Sequence, residues 1–367
     1  VTNHRWAFSA YGAGAAATLT DKDTVYCCLP LHHAAGTMVS VGSALVSGAR
    51  IALAEGFSPE TFWQESRRYG ATVVFYAGEM CRQLVDAPHD RSENRHPIRL
   101  FAGSGMRRDV WERLSERFGP VGVLEFYAST ETNAVLANAS GQKAGSVGSP
   151  MPGSSRISLV RYDSKSGELV RGAGGFCIPC PPGEPGLMLT KVTPMQADAL
   201  LESRVLRNIF SPRDCWYSTG NLLVSDHEGD YWFLARLADL VHTEAGRIAC
   251  LPIEDALYET SLPSLVAAYG LPVSESKVSQ GNAPQQKTAF EELVVSLVLK
   301  DGAGLDASTL DSVYEAFDEA DRPRRVLVVR ELPMSDGFRP KKSALRTQAP
   351  EGLVTEFRYK GGSYRAV

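Results

Sequence analysis

Val121-Gly122-Val123-Leu124-Glu125-Phe126-Tyr127-Ala128-Ser129-Thr130-Glu131-Thr132-Asn133 begins as a short apolar strand and ends in hydroxyl and carboxylate side chains. Upstream of it the same kind of strand recurs, separated by helical patterns. Residues 24–29 and 71–76 read as buried strands, and residues 50–53 and 99–101 as shorter ones. Residues 38–46 read as a helix. Ser58-Pro59 reads as an N-cap with proline at the first helical position, opening a helix that Gly70 stops. Another helix is predicted through Leu84. Residues 107–118 are amphipathic, with Val110, Trp111, Leu114 and Phe118 on one face. This alternation predicts α/β layers built on a largely parallel sheet.

Downstream the character changes. Residues 141–190 hold ten glycines and six prolines, a density that excludes long helices and predicts short strands joined by turns. The β-rich stretch continues to residues 231–234. After Arg236 the α/β pattern returns, with helices over 252–258 and 307–317 and strands over 293–299 and 326–329. Residues 274–288, rich in Ser, Gln and Lys, read as a mobile loop. The chain therefore divides into an α/β part (1–140), a β-rich subdomain (141–237) and a small α+β domain (238–367).

The 367 residues are 44% hydrophobic and 22% charged, with a net charge of −4, ordinary values for a globular protein of two or three domains. Nothing in that balance points to a nucleic-acid partner. Seven scattered cysteines, an odd number in a chain long enough to bury its own core, predict a reducing, cytoplasmic setting. Cys177-Ile178-Pro179-Cys180 is the one CxxC, and it lacks the second pair or histidine cluster that zinc needs. The start has no apolar signal region. The longest apolar stretch, residues 37–54, is broken by Gly42, Gly48 and Arg50, so no membrane span is expected.

Several segments, in order, resemble the adenylate-forming superfamily, most closely the fatty-acid-transport and very-long-chain acyl-CoA synthetase branch. Leu29-Pro30-Leu31-His32-His33-Ala34-Ala35-Gly36 is similar to that family's Leu-Pro-Leu-(Tyr/His)-His-x-x-Gly segment. Ala102-Gly103-Ser104-Gly105-Met106 resembles its adenine loop, and the stretch through Glu131 resembles its strand-to-loop motif. Lys143–Pro150, Gly183-Glu184-Pro185-Gly186, Trp216–Asn221, Arg236 and residues 332–345 continue the match.

The resemblance implies a truncated synthetase-like large domain with a β-rich subdomain, followed by a small mobile carboxyl-terminal domain. It implies an acid–thiol ligase in which a carboxylic acid attacks the α-phosphate of ATP and coenzyme A then displaces AMP. Such chemistry asks for positioning and charge neutralisation. The implied roles are adenine stacking for Tyr127, adenine and nucleotide contacts for Gly103, Ser104 and Gly105, a phosphate contact for Thr130, Mg2+ for Glu131, ribose for Asn221, nucleotide binding for Arg236, and adenylation for Arg339. His33 is placed beside the acyl carboxylate; a buried, hydrogen-bonded histidine is the other reading of that residue. A fatty acid or other carboxylic acid is the implied partner, and peripheral contact with a membrane is compatible with it.

The sequence departs from the family in four places. The Ser/Thr/Gly-rich phosphate loop with its lysine does not precede Leu29; Gly12-Ala13-Gly14 is no replacement, and Thr2–Trp6 resembles the family's stretch immediately downstream of that loop. The isolated chain is accordingly expected to bind AMP or acyl-AMP but to turn over slowly. Asn221 stands where the family has aspartate, and an amide offers one acceptor oxygen where a carboxylate offers two. Ala238 occupies the hinge position, and His242 a common lysine position. Arg339 matches the adenylation lysine, with Lys341 and Lys342 beyond it, and arginine is not an equivalent point charge. The sequence leaves three readings: a long- or very-long-chain acyl-CoA synthetase, a synthetase-like binding or regulatory module, and an adenylating enzyme that loads a carrier protein or a specialised acid.

Overall fold

The computed structural model describes residues 2–129, 131–273, 290–348 and 350–367; the predicted loop over 274–288 lies outside them. The first sheet carries β1 (Thr24–Cys27), β2 (Arg50–Leu53), β3 (Val73–Ala77), β4 (Leu100–Ser104), β5 (Gly122–Ala128), β6 (Val135–Asn138) and β7 (Ser149–Pro150). Their order is β2-β1-β3-β4-β5-β6-β7, parallel from β2 to β5 and antiparallel across β6 and β7. Helices α1 (Asn3–Ala16), α2 (Gly42–Ser47), α3 (Phe62–Tyr69), α4 (Met80–Asp86) and α5 (Arg108–Phe118) accompany this sheet. Sheet residues, among them Val74, Phe101 and Leu124, and helix residues such as Leu114 form one continuous core.

Two local expectations need correction. Helix α3 starts at Phe62 rather than Pro59. Thr61 is the N-cap, without a side-chain cap bond, and Ser58 closes the preceding turn instead: its Oγ accepts from the Thr61 N–H at 3.3 Å and its carbonyl from the Phe62 N–H. The helix predicted over 307–317 ends at Val313, where Tyr314 leaves helical geometry and buries its ring. Helix α1 escapes sequence reading because Gly12 and Gly14 look like breakers. A Cβ on Gly14 would lie 2.7 Å from Ser47 Oγ, and one on Gly42 would lie 2.9 Å from Ala10 Cβ. These glycines let α1 and α2 approach closely.

The second sheet holds β8 (Ile157–Arg161), β9 (Gly186–Lys191), β10 (Val205–Arg207), β11 (Cys215–Ser225) and β12 (Tyr231–Arg236). Its one α-helical element among the described residues is the four-residue α6 (Pro194–Ala197). Cys177 packs in the apolar core with Val160 and Ile209, whereas Cys180 packs against a different cluster with Leu159 and Met188. All seven cysteines are free.

After the short 3-10 turn Leu237–Asp239 come the hairpin β13 (Val241–Thr243) and β14 (Gly246–Ile248), then α7 (Cys250–Glu259). The third sheet runs β15 (Pro263–Pro272), β16 (Glu291–Leu299), β17 (Arg325–Val329), β18 (Leu353–Lys360) and β19 (Ser363–Ala366) in sequence order, with α8 (Ala307–Val313) and α9 (Lys342–Leu345) beside it. Strand β15 carries proline at both ends, tolerable because it is an edge strand paired on one side only. Among the described residues no helix is long and apolar enough to cross a membrane.

Candidate active site

The carboxyl ends of β3, β4 and β5 open into a cavity of about 2450 Å3, closed on the other sides by β11, β12, the Leu237–Asp239 turn, α7 and residues 335–343. Tyr127, near the end of β5, lines it. Its hydroxyl accepts from Asn221 Nδ2 at 2.7 Å, which ties the first sheet to β11. That bond uses one N–H of the Asn221 amide, and Oδ1 accepts no hydrogen bond from the described residues. Arg236 lies opposite Asn221 in the β11–β12 ladder and is exposed at the rim.

Ser104 and Gly105 also line the cavity. Gly105 has φ +107°, and a Cβ there would lie 3.2 Å from Arg339 Nη2. Gly103 is placed differently. A Cβ on it would strike the Tyr76 carbonyl of neighbouring β3, so this glycine serves strand packing and does not face the cavity.

His33 is exposed at the rim, with Nδ1 accepting from the Ala35 N–H at 3.2 Å, so it is not a buried histidine. Glu131 is exposed at the same rim. Ser129 organises that turn, its Oγ accepting from the N–H groups of Glu131 at 3.3 Å and Thr132 at 3.1 Å. Thr130 lies outside the described residues.

Arg339 is brought in from more than two hundred residues downstream. Residues 335–339 form a tight loop in which the Arg339 carbonyl accepts from the Ser335 N–H at 2.9 Å. The loop docks at the end of β3, where the Phe338 carbonyl accepts from the Glu79 N–H at 2.8 Å. The Phe338 ring meets Phe57 edge-on at 5.6 Å. His32 and Asp336 pair at 3.0 Å across the same seam, where both are exposed. Of the two lysines beyond Arg339, Lys342 is engaged with Glu254 at 2.7 Å, and Lys341 is exposed.

Further residues shape the site although the sequence does not single them out. Arg5 donates to the Ser129 carbonyl at 3.2 Å and holds the Glu131 turn from α1. Glu125, buried in β5, accepts from the Gly105 N–H at 2.5 Å, from the Met106 N–H at 3.3 Å and from the Tyr76 hydroxyl. Arg107 bonds Glu254 at 2.5 Å, Asp255, and Glu79 at 3.4 Å, linking the first sheet to α7. Glu125 has a readable signal: a lone carboxylate inside an apolar strand. Arg107 and Glu254 have none, because their partners lie about 150 residues away.

Asp226, Glu228 and Asp230 converge as a metal site would, but Lys143 sits among them at 2.5, 2.7 and 2.7 Å. A lysine ammonium already supplies the cation there.

The sequence profile of the AMP-binding enzyme family matches residues 1–191. A medium/long-chain fatty acid–CoA ligase, FadD6, of Mycobacterium tuberculosis is 32% identical over 358 residues, covering 95% of this chain and 57% of that protein. Human long-chain fatty acid transport protein 5 is 37% identical over 288 residues, covering 75% of this chain and 42% of that protein. The chain spans about half the length of the curated relatives it matches. Among solved structures, ATP-bound MatB from Rhodopseudomonas palustris superposes with a TM-score of 0.69 at 21% identity, covering 93% of this chain and 62% of that one. That likeness carries the fold.

Proposed function

This chain belongs to the AMP-binding enzyme family, and from that membership we propose that it forms the nucleotide-holding and acyl-transferring part of a long- or very-long-chain fatty acyl-CoA synthetase. The observation that carries the reading is the meeting of Tyr127, Asn221, Gly105 and Arg339, from three parts of the chain, around one cavity.

The residues present suit an adenine nucleotide. Tyr127 offers a ring fixed by its own hydroxyl, and Asn221 Oδ1 is left to accept from a ribose hydroxyl. Glu131, one exposed carboxylate, suits magnesium, which keeps most of its water and shares phosphate oxygens. Arg236 and Arg339 place two cations where negative charge would develop, and His33 lies at the rim for the acyl carboxylate. ATP, coenzyme A and a fatty acid are the substrates of this reading, and residues 238–367 are the part that would move between its two steps. The reading as a binding or regulatory module draws support from Asn221 and Arg339 standing at positions where the family has other residues.

Calorimetric titration with a long-chain acyl-adenylate tests the nucleotide reading. The protein should bind it, and Tyr127→Ala should weaken binding roughly tenfold or more, the size of losing one base–aromatic stack. Equal binding by the variant would remove Tyr127 from the site.

A further inference from the structure

Glu125 is a carboxylate with 3% of its surface exposed, and every polar contact it makes belongs to the nucleotide side of the molecule. One oxygen accepts from the Gly105 N–H at 2.5 Å. The other accepts from the Met106 N–H at 3.3 Å and from the Tyr76 hydroxyl of β3. The loop that carries Arg339 docks directly over these groups. A Cβ on Gly105 would lie 3.0 Å from the α-carbon of Gly78 and 3.2 Å from Arg339 Nη2, while a Cβ on Gly78 would strike the carbonyls of Gly337 and Phe338. Glu125, the Gly105–Met106 turn and the Arg339 loop thus form one stack with no room for a spacer.

We propose that Glu125 is a positioning residue whose ionised carboxylate holds the Gly105–Met106 turn and fixes the Arg339 loop above it, so that the loop docks firmly only while Glu125 carries its charge. The proposal rests on the synthetase reading for its significance, because docking of this loop is what would bring Arg339 to the adenylation step.

The donors around Glu125 explain why its charge matters. Two backbone N–H groups and a tyrosine hydroxyl all donate to it, so a proton added to either oxygen competes with these donors for its lone pairs and weakens the set. The titratable and charged groups that face it are Tyr76 from β3, Cys81 from α4 and Arg339 from the docked loop. Arg339 in turn faces Glu79, Arg107 and Arg236. Burial raises the Glu125 carboxyl to about 7, against the pull of its hydrogen bonds and of Arg339. Undocking the loop removes Arg339, which raises the carboxyl, while any water let in lowers it; firm docking of the charged form requires the Arg339 contribution to be the larger. By linkage, docking then strengthens as pH rises through about 7 and weakens as pH falls through it.

Hydrogen exchange of the 78–79 and 335–340 backbone, corrected for intrinsic rates, reads docking without any nucleotide or turnover. In the parent protein, protection should fall as pH is lowered through about 7. Glu125→Gln should give weak protection with no pH step. Tyr76→Phe, which removes one donor to the anion, should move the step upward by about one pH unit. Exchange in β1 and β4 of the first sheet reports in the same run that each variant is folded. If Glu125→Gln is not folded, Tyr76→Phe decides alone. A parent profile with no step, a step retained in Glu125→Gln, or a Tyr76→Phe step at the parent position would each overturn the proposal. Loss of acyl-transfer activity with the exchange profile intact would instead count against the synthetase reading alone.

Discussion

In a protein that also carries the upstream phosphate loop, Arg339→Ala is expected to slow fatty-acid-dependent ATP–pyrophosphate exchange by roughly two orders of magnitude, a size typical of removing one preorganised electrostatic group. The Arg339 side chain is solvent-exposed within the cavity, yet the protein atoms crowded around it and the neighbouring Arg236 pull its guanidinium below its ordinary value, against Glu125 and Glu79. A group held this way acts on the rate more than on the affinity. Thioester formation from supplied acyl-AMP should change little, because the family's second step comes after rotation of this loop away from the nucleotide. Lys341→Ala should behave like the parent, since that side chain is exposed. Lys342→Ala should weaken the protein as well as the rate, because it strips a partner from buried Glu254. If all three variants exchange as fast as the parent, the segment is a solvated tail and the role given to Arg339 is wrong.

Arg107→Ala should have the second largest effect, and it should appear in the assembly of the molecule before it appears in chemistry. Arg107 joins Glu79, just past β3 at the start of α4, to Glu254 and Asp255 of α7. Next to it, Arg82 is buried between Glu79 and Asp109, with its guanidinium 3.5 Å from the Tyr258 ring centroid. Removing one member of a buried ionic network leaves the others uncompensated, at a cost of about 3–5 kcal/mol. The lower end applies here, because Glu254 keeps Lys342 and Glu79 keeps Arg82. The cost falls on the seam between the first sheet and residues 238–367, so limited proteolysis near residues 236–247 should accelerate severalfold. Arg108→Ala is the matched comparison: that side chain is 77% exposed and pairs only with Glu112 one turn along. Its removal should leave the cleavage rate within experimental scatter. Equal rates for the two variants would show that the ionic seam does not hold the parts together.

The elements legible in the sequence are those whose signal is local. Strands β3 and β5 and helix α5 announce themselves through apolar runs or one apolar face, and residues 141–190 through their glycine and proline content. Helix α1 is hidden because Gly14 is spent on packing against α2, a tertiary reason that looks locally like a break. Strand β15 is hidden because terminal prolines conceal an edge strand. Within the site, Tyr127, Asn221 and Arg339 are found through resemblance, and the structure brings them to one cavity. Gly103, expected to face the nucleotide, instead abuts Tyr76. Arg5 and Arg107 escape because each acts on a partner far away in the chain, and no periodicity or short motif records such a pairing, whereas Glu125 stands out as a lone carboxylate in an apolar strand.

On the function proposed above, this cavity would hold an acyl-adenylate and hand its acyl group to a thiol. The most direct measurement supplies acyl-AMP of graded chain length together with coenzyme A and tracks acyl-CoA and AMP by mass spectrometry, bypassing the ATP-dependent step. The account predicts acyl-CoA and AMP in equal amounts, formed faster from long acyl chains than from short ones and suppressed by excess AMP. Acyl-AMP left intact, or hydrolysed to free acid with coenzyme A unused, would contradict it.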